Sequence, residues 1–241
     1  MIPGAQASQP GVKHPPRRAI IVYLTRDALS VVGLAVILFW PAGGLDWGMG
    51  WAVVALWSAW SAAMAWIVIR RNPGLLMERL GPKKGSQKWD AVIQPALSLL
   101  QAGRCIVGGL DHRYGWSSGI APTTQVAFLI VGGLGLALFV WAVASNQFFS
   151  QIVRIQDERG HSVAQGGPYR LIRHPGYAGS ILMEIGSALT LGSWWALIPS
   201  GLLAVLMVVR TVLEERTLRA GLPGYTEYTQ KVRYRLVPGI W

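Results

Sequence analysis

The chain has a single cysteine, Cys105. That excludes an intramolecular disulfide and any cysteine-based metal cluster. Charge is scarce as well: 14% of residues are charged, where a soluble domain carries about a quarter. Acidic residues are the scarcest, 11 against 22 basic, giving a net charge of +11. No Gly-x-Gly-x-x-Gly follows a strand pattern, so a Rossmann-type nucleotide site is not expected. Four histidines in 241 residues, two of them His161 and His174, do not make a zinc spacing, and no metal is expected. There is no internal repeat, which argues against a transporter, and no second, soluble domain.

What is abundant is apolar sequence. Hydrophobic residues make up 52% of the chain and the mean hydropathy is +0.37. A membrane span needs about 20 apolar residues. Six stretches qualify or nearly qualify: Ala19–Trp40, Gly48–Ile69, Ala91–Leu110, Thr123–Ala144, Tyr177–Leu191 and Trp194–Leu213. The fifth is short, and Gly192-Ser193 joins it to the sixth as a helical hairpin. The expected fold is therefore all-α, a polytopic transmembrane bundle of about six spans. Residues 1–18 read as a disordered basic tail, 19–145 as N-terminal transmembrane helices and 146–241 as the functional core. The opening residues show no signal-peptide core with a small-residue cleavage site.

Charge placement sets the expected orientation. With the tail, Arg26 near the start of the first span, 70–90, 145–173 and 210–241 on one side, 20 of the 22 Lys and Arg fall there. The positive-inside rule makes that side cytoplasmic. The +11 is then explained by loops beside anionic lipid, and a nucleic-acid partner is not expected. Arg26 and Asp27 interrupt the first span as adjacent opposite charges. The connector 70–90 contains Asn72-Pro73-Gly74-Leu75-Leu76-Met77-Glu78-Arg79-Leu80, which reads as an amphipathic surface helix or as a plain polybasic link.

Two polar clusters interrupt the apolar pattern. The first is Gly166-Gly167-Pro168-Tyr169-Arg170-Leu171-Ile172-Arg173-His174-Pro175-Gly176-Tyr177-Ala178-Gly179. Pro175 suits the first turn of a helix, and such an N-terminus offers free N–H groups to an anion. On that helix, His174, Tyr177 and Glu184 share a face. Glu184 then lies inside the membrane, as a functional acid or as a partner for Arg104. The second cluster is Arg210-Thr211-Val212-Leu213-Glu214-Glu215. Arg210 and Glu214 are four apart and face the same way, as a surface ion pair or as ligand-binding groups. Tyr225 and Tyr228 follow, three residues apart, and would pack back on the membrane surface or join the site.

Together these clusters resemble the isoprenylcysteine carboxyl methyltransferase family and the related phospholipid methyltransferases, over about Asn146 to Trp241. The features that carry the likeness are Gly167-Pro168-Tyr169-Arg170, Arg173-His174-Pro175-Gly176-Tyr177-Ala178-Gly179, Arg210 with Glu214-Glu215, and the tail with Tyr225 and Tyr228. The resemblance implies a membrane enzyme that transfers a methyl group from S-adenosylmethionine, releasing S-adenosylhomocysteine. Carried over by position, it places His161, Ser162, Val163, Ala164, Tyr169, His174, Pro175, Gly176 and Tyr177 around the cofactor. A glutamine, Gln156, or Arg154 in an ungapped register, joins them, and Glu214 closes the pocket. Arg210 would hold the acceptor, with Glu184 as a second acceptor-side residue outside the family motif. His174, Arg210 and Glu214 are the expected catalytic set. The expected acceptor is a lipidic, isoprenylcysteine-like carboxylate. A phospholipid amine or a small thiol is the alternative, and a non-catalytic lipid-binding membrane protein is the alternative of another class.

Overall fold

The computed structural model describes residues 15–81 and 85–241. Most of the expected basic tail, 1–14, and Lys83 and Lys84 lie outside the described residues. Among those described, every regular element is helical. They are α1 (Arg17–Ala42), α2 (Gly48–Trp66), α3 (Pro73–Leu80), α4 (Asp90–Tyr114), α5 (Pro122–Ala144), α6 (Pro175–Thr190), α7 (Leu197–Gly221) and α8 (Tyr225–Lys231). A π-helical turn, Ile67–Arg71, prolongs α2. Short 3-10 turns at Asp157–Arg159 and Gly167–Arg170 interrupt the long connection before α6.

Five of these helices are long and apolar enough to cross a membrane: α1, α2 with its extension, α4, α5 and α7. The sixth expected span, α6, has only 16 residues. At 1.5 Å per residue it is about 24 Å long, shorter than the roughly 30 Å hydrocarbon core. Its surroundings explain how it can be short. α6 packs on α5 most extensively and also on α7, α2 and α4, and most of its residues from Met183 onward are buried. It is the central helix of the bundle. The chain is thus a multi-pass membrane protein, a helical bundle with α6 and α7 as its closing hairpin.

Glycines set the close approach of α5 and α6. A Cβ on Gly135 would lie 2.7 Å from the Gly179 carbonyl oxygen, and one on Gly179 would lie 2.6 Å from the Gly135 oxygen. One turn and more further along, a Cβ on Gly186 would lie 2.7 Å from the Gly132 nitrogen. Small residues that let backbones meet are a usual device where hydrophobic burial gives no helix–helix preference. Gly179→Ala should therefore push α6 off α5 and lower the melting temperature of the purified protein, with a cost of about 1–3 kcal/mol. An unchanged melting curve would show that the helices can separate without penalty.

The connector after α2 is a helix, as the amphipathic reading expected. Asn72 caps α3, its Oδ1 accepting from the Leu75 N–H at 3.1 Å, and Pro73 occupies the first turn. Its apolar side meets the bundle. Leu75 and Leu76 are fully buried, packed with Tyr23, Met64 and Val143. The Asp27 carboxylate accepts from Ser61 on α2, while neighbouring Arg26 is exposed. At the opposite end, Asp111 accepts from Ser117 and from Ser193, tying α4 to the α6–α7 turn.

Candidate active site

The connection from Asn146 to Arg173 has no long helix of its own and is fixed from several sides. Asn72 Nδ2 donates to the Gln147 carbonyl at 3.0 Å, and Ser150 Oγ donates to Glu78 Oε1 at 2.6 Å. The Val153 N–H donates to Asp90 Oδ2 at 2.8 Å. Gln156 is itself buried, donating to the Phe148 carbonyl at 2.7 Å and accepting from Arg159 at 2.5 Å. So anchored, the connection folds over the start of α6 and the end of α7 and encloses a pocket of about 790 Å³, counted to its open mouth.

His174 is the residue before α6, and Pro175 opens the helix. The His174 and Tyr177 rings stack at 5.6 Å and 12°. From α7, Glu214 enters the same pocket: Tyr177 donates its hydroxyl to Glu214 Oε2, and His174 Nδ1 lies 4.0 Å from that oxygen. Among the described residues, Glu214 Oε1 accepts no hydrogen bond, so one carboxylate oxygen remains for a ligand. Tyr225 and Tyr228 complete the far wall. Tyr225 Oη lies 3.5 Å from His174 Nε2, and Tyr228 donates to the Tyr169 carbonyl at 2.7 Å. Burial pushes the Tyr169, Tyr225 and Tyr228 phenols up from their ordinary value, so they stay neutral donors. Burial, reinforced by the nearby Arg159 cation, pushes His161 down, so its ring is neutral at pH 7.

The two adjacent glutamates serve different ends. Glu215 is 3% exposed and is engaged by the C-terminal segment. It accepts from Arg173 Nε and from Arg235 Nε at 2.8 Å, with His174 Nε2 3.5 Å away. Arg173 in turn donates to the Val232 and Arg233 carbonyls at 2.7 Å each. The backbone N–H groups of Arg173 and His174 reach the Tyr234 and Arg235 carbonyls. Glu215 therefore binds the C-terminal segment to the start of α6.

Arg210 does not pair with Glu214. Its Nε donates to Asp90 Oδ1 at 2.9 Å and its Nη2 reaches Asp90 Oδ2 at 3.3 Å and the Gln151 carbonyl at 2.9 Å. Asp90 is fully buried. The Arg210 guanidinium lies 5.1 Å over the Tyr177 ring. Tyr177 also lines a second cavity of about 1440 Å³, including its open side, together with Arg210, Asp90, Gln94, Phe139, Ser180 and Met207 among others. Phe149, Ser150, Ile152 and Tyr177 line both spaces. A polar pocket and an intramembrane cavity thus share one thin wall.

Residues 126–220 match the isoprenylcysteine carboxyl methyltransferase family. The family likeness read from the two motifs stands, on the segment that holds both. Similar curated proteins include a probable protein-S-isoprenylcysteine O-methyltransferase from Oryza sativa subsp. indica and one from Oryza sativa subsp. japonica. Each is 33% identical over 97 residues, which cover 37% of this chain and 48% of the relative. The chain therefore matches about half the length of those relatives.

The family residues carried over by position fall largely in one place. Gln156, Arg154, His161, Ser162, Val163, Ala164, Tyr169, His174, Gly176, Tyr177 and Glu214 all line the first pocket. Pro175 is not among its lining residues and serves to start α6. Glu184, expected on the acceptor side although outside the family motif, goes elsewhere. It sits ten residues, about 15 Å along the helix, beyond His174, and lines neither cavity. Arg104 Nε donates to its Oε2 at 2.8 Å and Gln101 Nε2 to its Oε1 at 2.8 Å. The acceptor-side reading of Glu184 is corrected accordingly: a buried carboxylate must be paired, and Arg104, fully buried on α4, pairs it. Sequence reasoning missed Asp90, which looked like the last polar residue before a span. It also missed Phe149 and Ser150, whose short segment carries no motif.

Proposed function

We propose that this protein is an integral-membrane methyltransferase that takes S-adenosylmethionine in the first pocket and methylates a lipidic carboxylic acid lying in the second. The observation that supports this most is the convergence of His174, Tyr177 and Glu214 on one pocket whose wall is shared with an intramembrane cavity. The donor set fits the cofactor: Glu214 with a free carboxylate oxygen, the neutral His161 imidazole and tyrosine hydroxyls, while the two arginines of the lining, Arg154 and Arg173, are paired with Glu158 and Glu215. When bound, the cofactor supplies an electrophilic methyl group on a sulfonium sulfur.

The remaining chemistry belongs to the chain. An acid acceptor is already ionised at pH 7, so no base is needed. Its oxygen gives a lone pair to the new C–O bond as the C–S bond breaks. The products are a neutral thioether and a neutral ester, and no proton is released. What the residues must do is orient and exclude water. Glu214 and the tyrosines position the cofactor, and Phe149 and Tyr177 stand between the two spaces. Asp90 holds Arg210 against Tyr177 on the acceptor side. Placing the basic loops in the cytoplasm brings the cofactor from that side and lets a lipid acceptor enter from the bilayer.

Calorimetric titration of the purified protein with S-adenosylhomocysteine tests the reading. Saturable binding at micromolar to millimolar ligand is expected, and none would sink it. Acidification supplies a second check. His161 is neutral in the folded protein below its ordinary value of about 6.5. Its contribution to stability is fully present above that value and is lost as pH falls from there through its lower folded value. Protonation would also set a cation beside a sulfonium. Affinity for S-adenosylmethionine should thus fall as the pH drops below about 6.5, and His161→Gln should flatten that dependence. An unaltered pH profile in the variant would remove His161 from the account.

A further inference from the structure

Arg210 carries a positive charge into the acceptor cavity, but Asp90 neutralises it through two nitrogens. If the acceptor is anionic, another group must meet its charge. A third cavity, of about 1400 Å³ including its open side, runs between α1, α2 and α4. It joins the second: Trp60, Arg79, Ser98 and Gln151 line both. Arg79 stands at the junction. Its Nε is buried and has no hydrogen-bond partner. Its Nη1 makes one long contact, 3.3 Å, to the Tyr23 hydroxyl. Among the described residues it forms no ion pair, whereas Arg104, Arg173, Arg210 and Arg235 each do. Leaving a buried donor of a cation unmade is costly; Arg104 also leaves nitrogens unmade but its charge is met by Glu184, whereas Arg79 borders two cavities without an ion pair among the described residues. The walls beside it, with Leu34, Ile37, Trp57 and Trp60, suit an apolar tail.

We propose that Arg79 is the anion-binding residue of the intramembrane cavity, gripping the carboxylate of a lipid acid whose tail runs along α1, α2 and α4. This rests on the methyltransferase reading for its purpose, but not for its test. A planar guanidinium with free N–H groups is matched to a carboxylate. Tyr23, hydrogen-bonded to Arg79, holds the side chain toward the cavity. Asp27, on the same cavity and engaged by Ser61, is the feature an amine headgroup would use instead, so the test includes one.

The probes are tritiated 3-(farnesylthio)propanoic acid, its primary amide, and the corresponding primary amine. Equilibrium binding of each to the full-length protein in a neutral detergent is measured with S-adenosylhomocysteine present. Wild type should prefer acid to amide and amine by about 10- to 100-fold, the equivalent of one charge-assisted contact. Arg79→Gln should erase that preference while leaving amide binding unchanged, and Arg79→Lys should keep part of it. Equal affinity of wild type for all three probes would overturn the proposal, as would a preference for the amine lost in Asp27→Asn. Acid and amide weakening together in Arg79→Gln would also overturn it, since that is the mark of a structural role. Absence of S-adenosylhomocysteine binding would defeat the methyltransferase reading alone, because the acid-to-amide ratio can be measured without it.

Discussion

Asp90→Ala should be among the most damaging single substitutions in this chain, lowering thermal stability sharply in detergent. Asp90 is fully buried and is the only carboxylate within ion-pair reach of Arg210 among the described residues. It also accepts the Val153 N–H, so its loss frees the loop that roofs the cofactor pocket. Removing one partner of a buried pair costs about 3–5 kcal/mol, because the other charge stays behind unpaired. The pair itself need not be worth that much. Arg210→Met alone keeps the volume and removes the stranded charge, but leaves Asp90 uncompensated. The double variant Asp90→Ala with Arg210→Met should therefore be more stable than Asp90→Ala. A melting series of the two single variants and the double measures this. If Asp90→Ala melts with wild type, Arg210 finds another anion and the described pairing is not what holds it.

That pairing shows where a sequence stops being informative. The spans of α2, α4, α5 and α7 were legible because a run of apolar residues is a local signal, as was the start of α6 from Pro175. The cofactor-pocket residues were legible because the motif places them close together in sequence, from His161 to Tyr177 and again at Glu214. Arg210 and Asp90 are 120 residues apart, and no local pattern announces a partner at that distance. Spacing on a helix suggested Glu214 for Arg210 instead. The rotation of α7 decides otherwise: it turns Glu214 toward Tyr177 and Arg210 toward α4. Arg104 and Glu184 were separable as partners because each is an isolated charge in an apolar span. The glycine seam of α5 and α6 was hidden for a simpler reason. Glycine is frequent here, 29 residues, and only the packed structure shows which ones touch.

The last expectation concerns the glutamate pair, where neighbouring residues of the same type should give opposite phenotypes. Glu214→Gln removes a carboxylate that reaches into the pocket and whose described contacts are the Tyr177 hydroxyl and, 4.0 Å away, His174. The amide can still accept from Tyr177, so the fold should be kept and the melting temperature of the unliganded protein should barely move. Affinity for S-adenosylmethionine should fall by about 10- to 100-fold, the range for hydrogen bonds to a charged group. Glu215→Gln should do the reverse. It removes the charge that offsets Arg173 and Arg235, and one of those cations is almost wholly buried. The C-terminal segment should loosen, which limited proteolysis at Arg233 and Arg235 would detect as faster cleavage. Cofactor affinity would then drop only indirectly, through the His174 and Tyr225 that this segment supports. The two variants measured side by side, by melting and by calorimetry, separate ligand binding from scaffolding. Parallel losses in both measurements would mean that the pair acts as one unit, and that α7 does not divide its two carboxylates between the pocket and the tail.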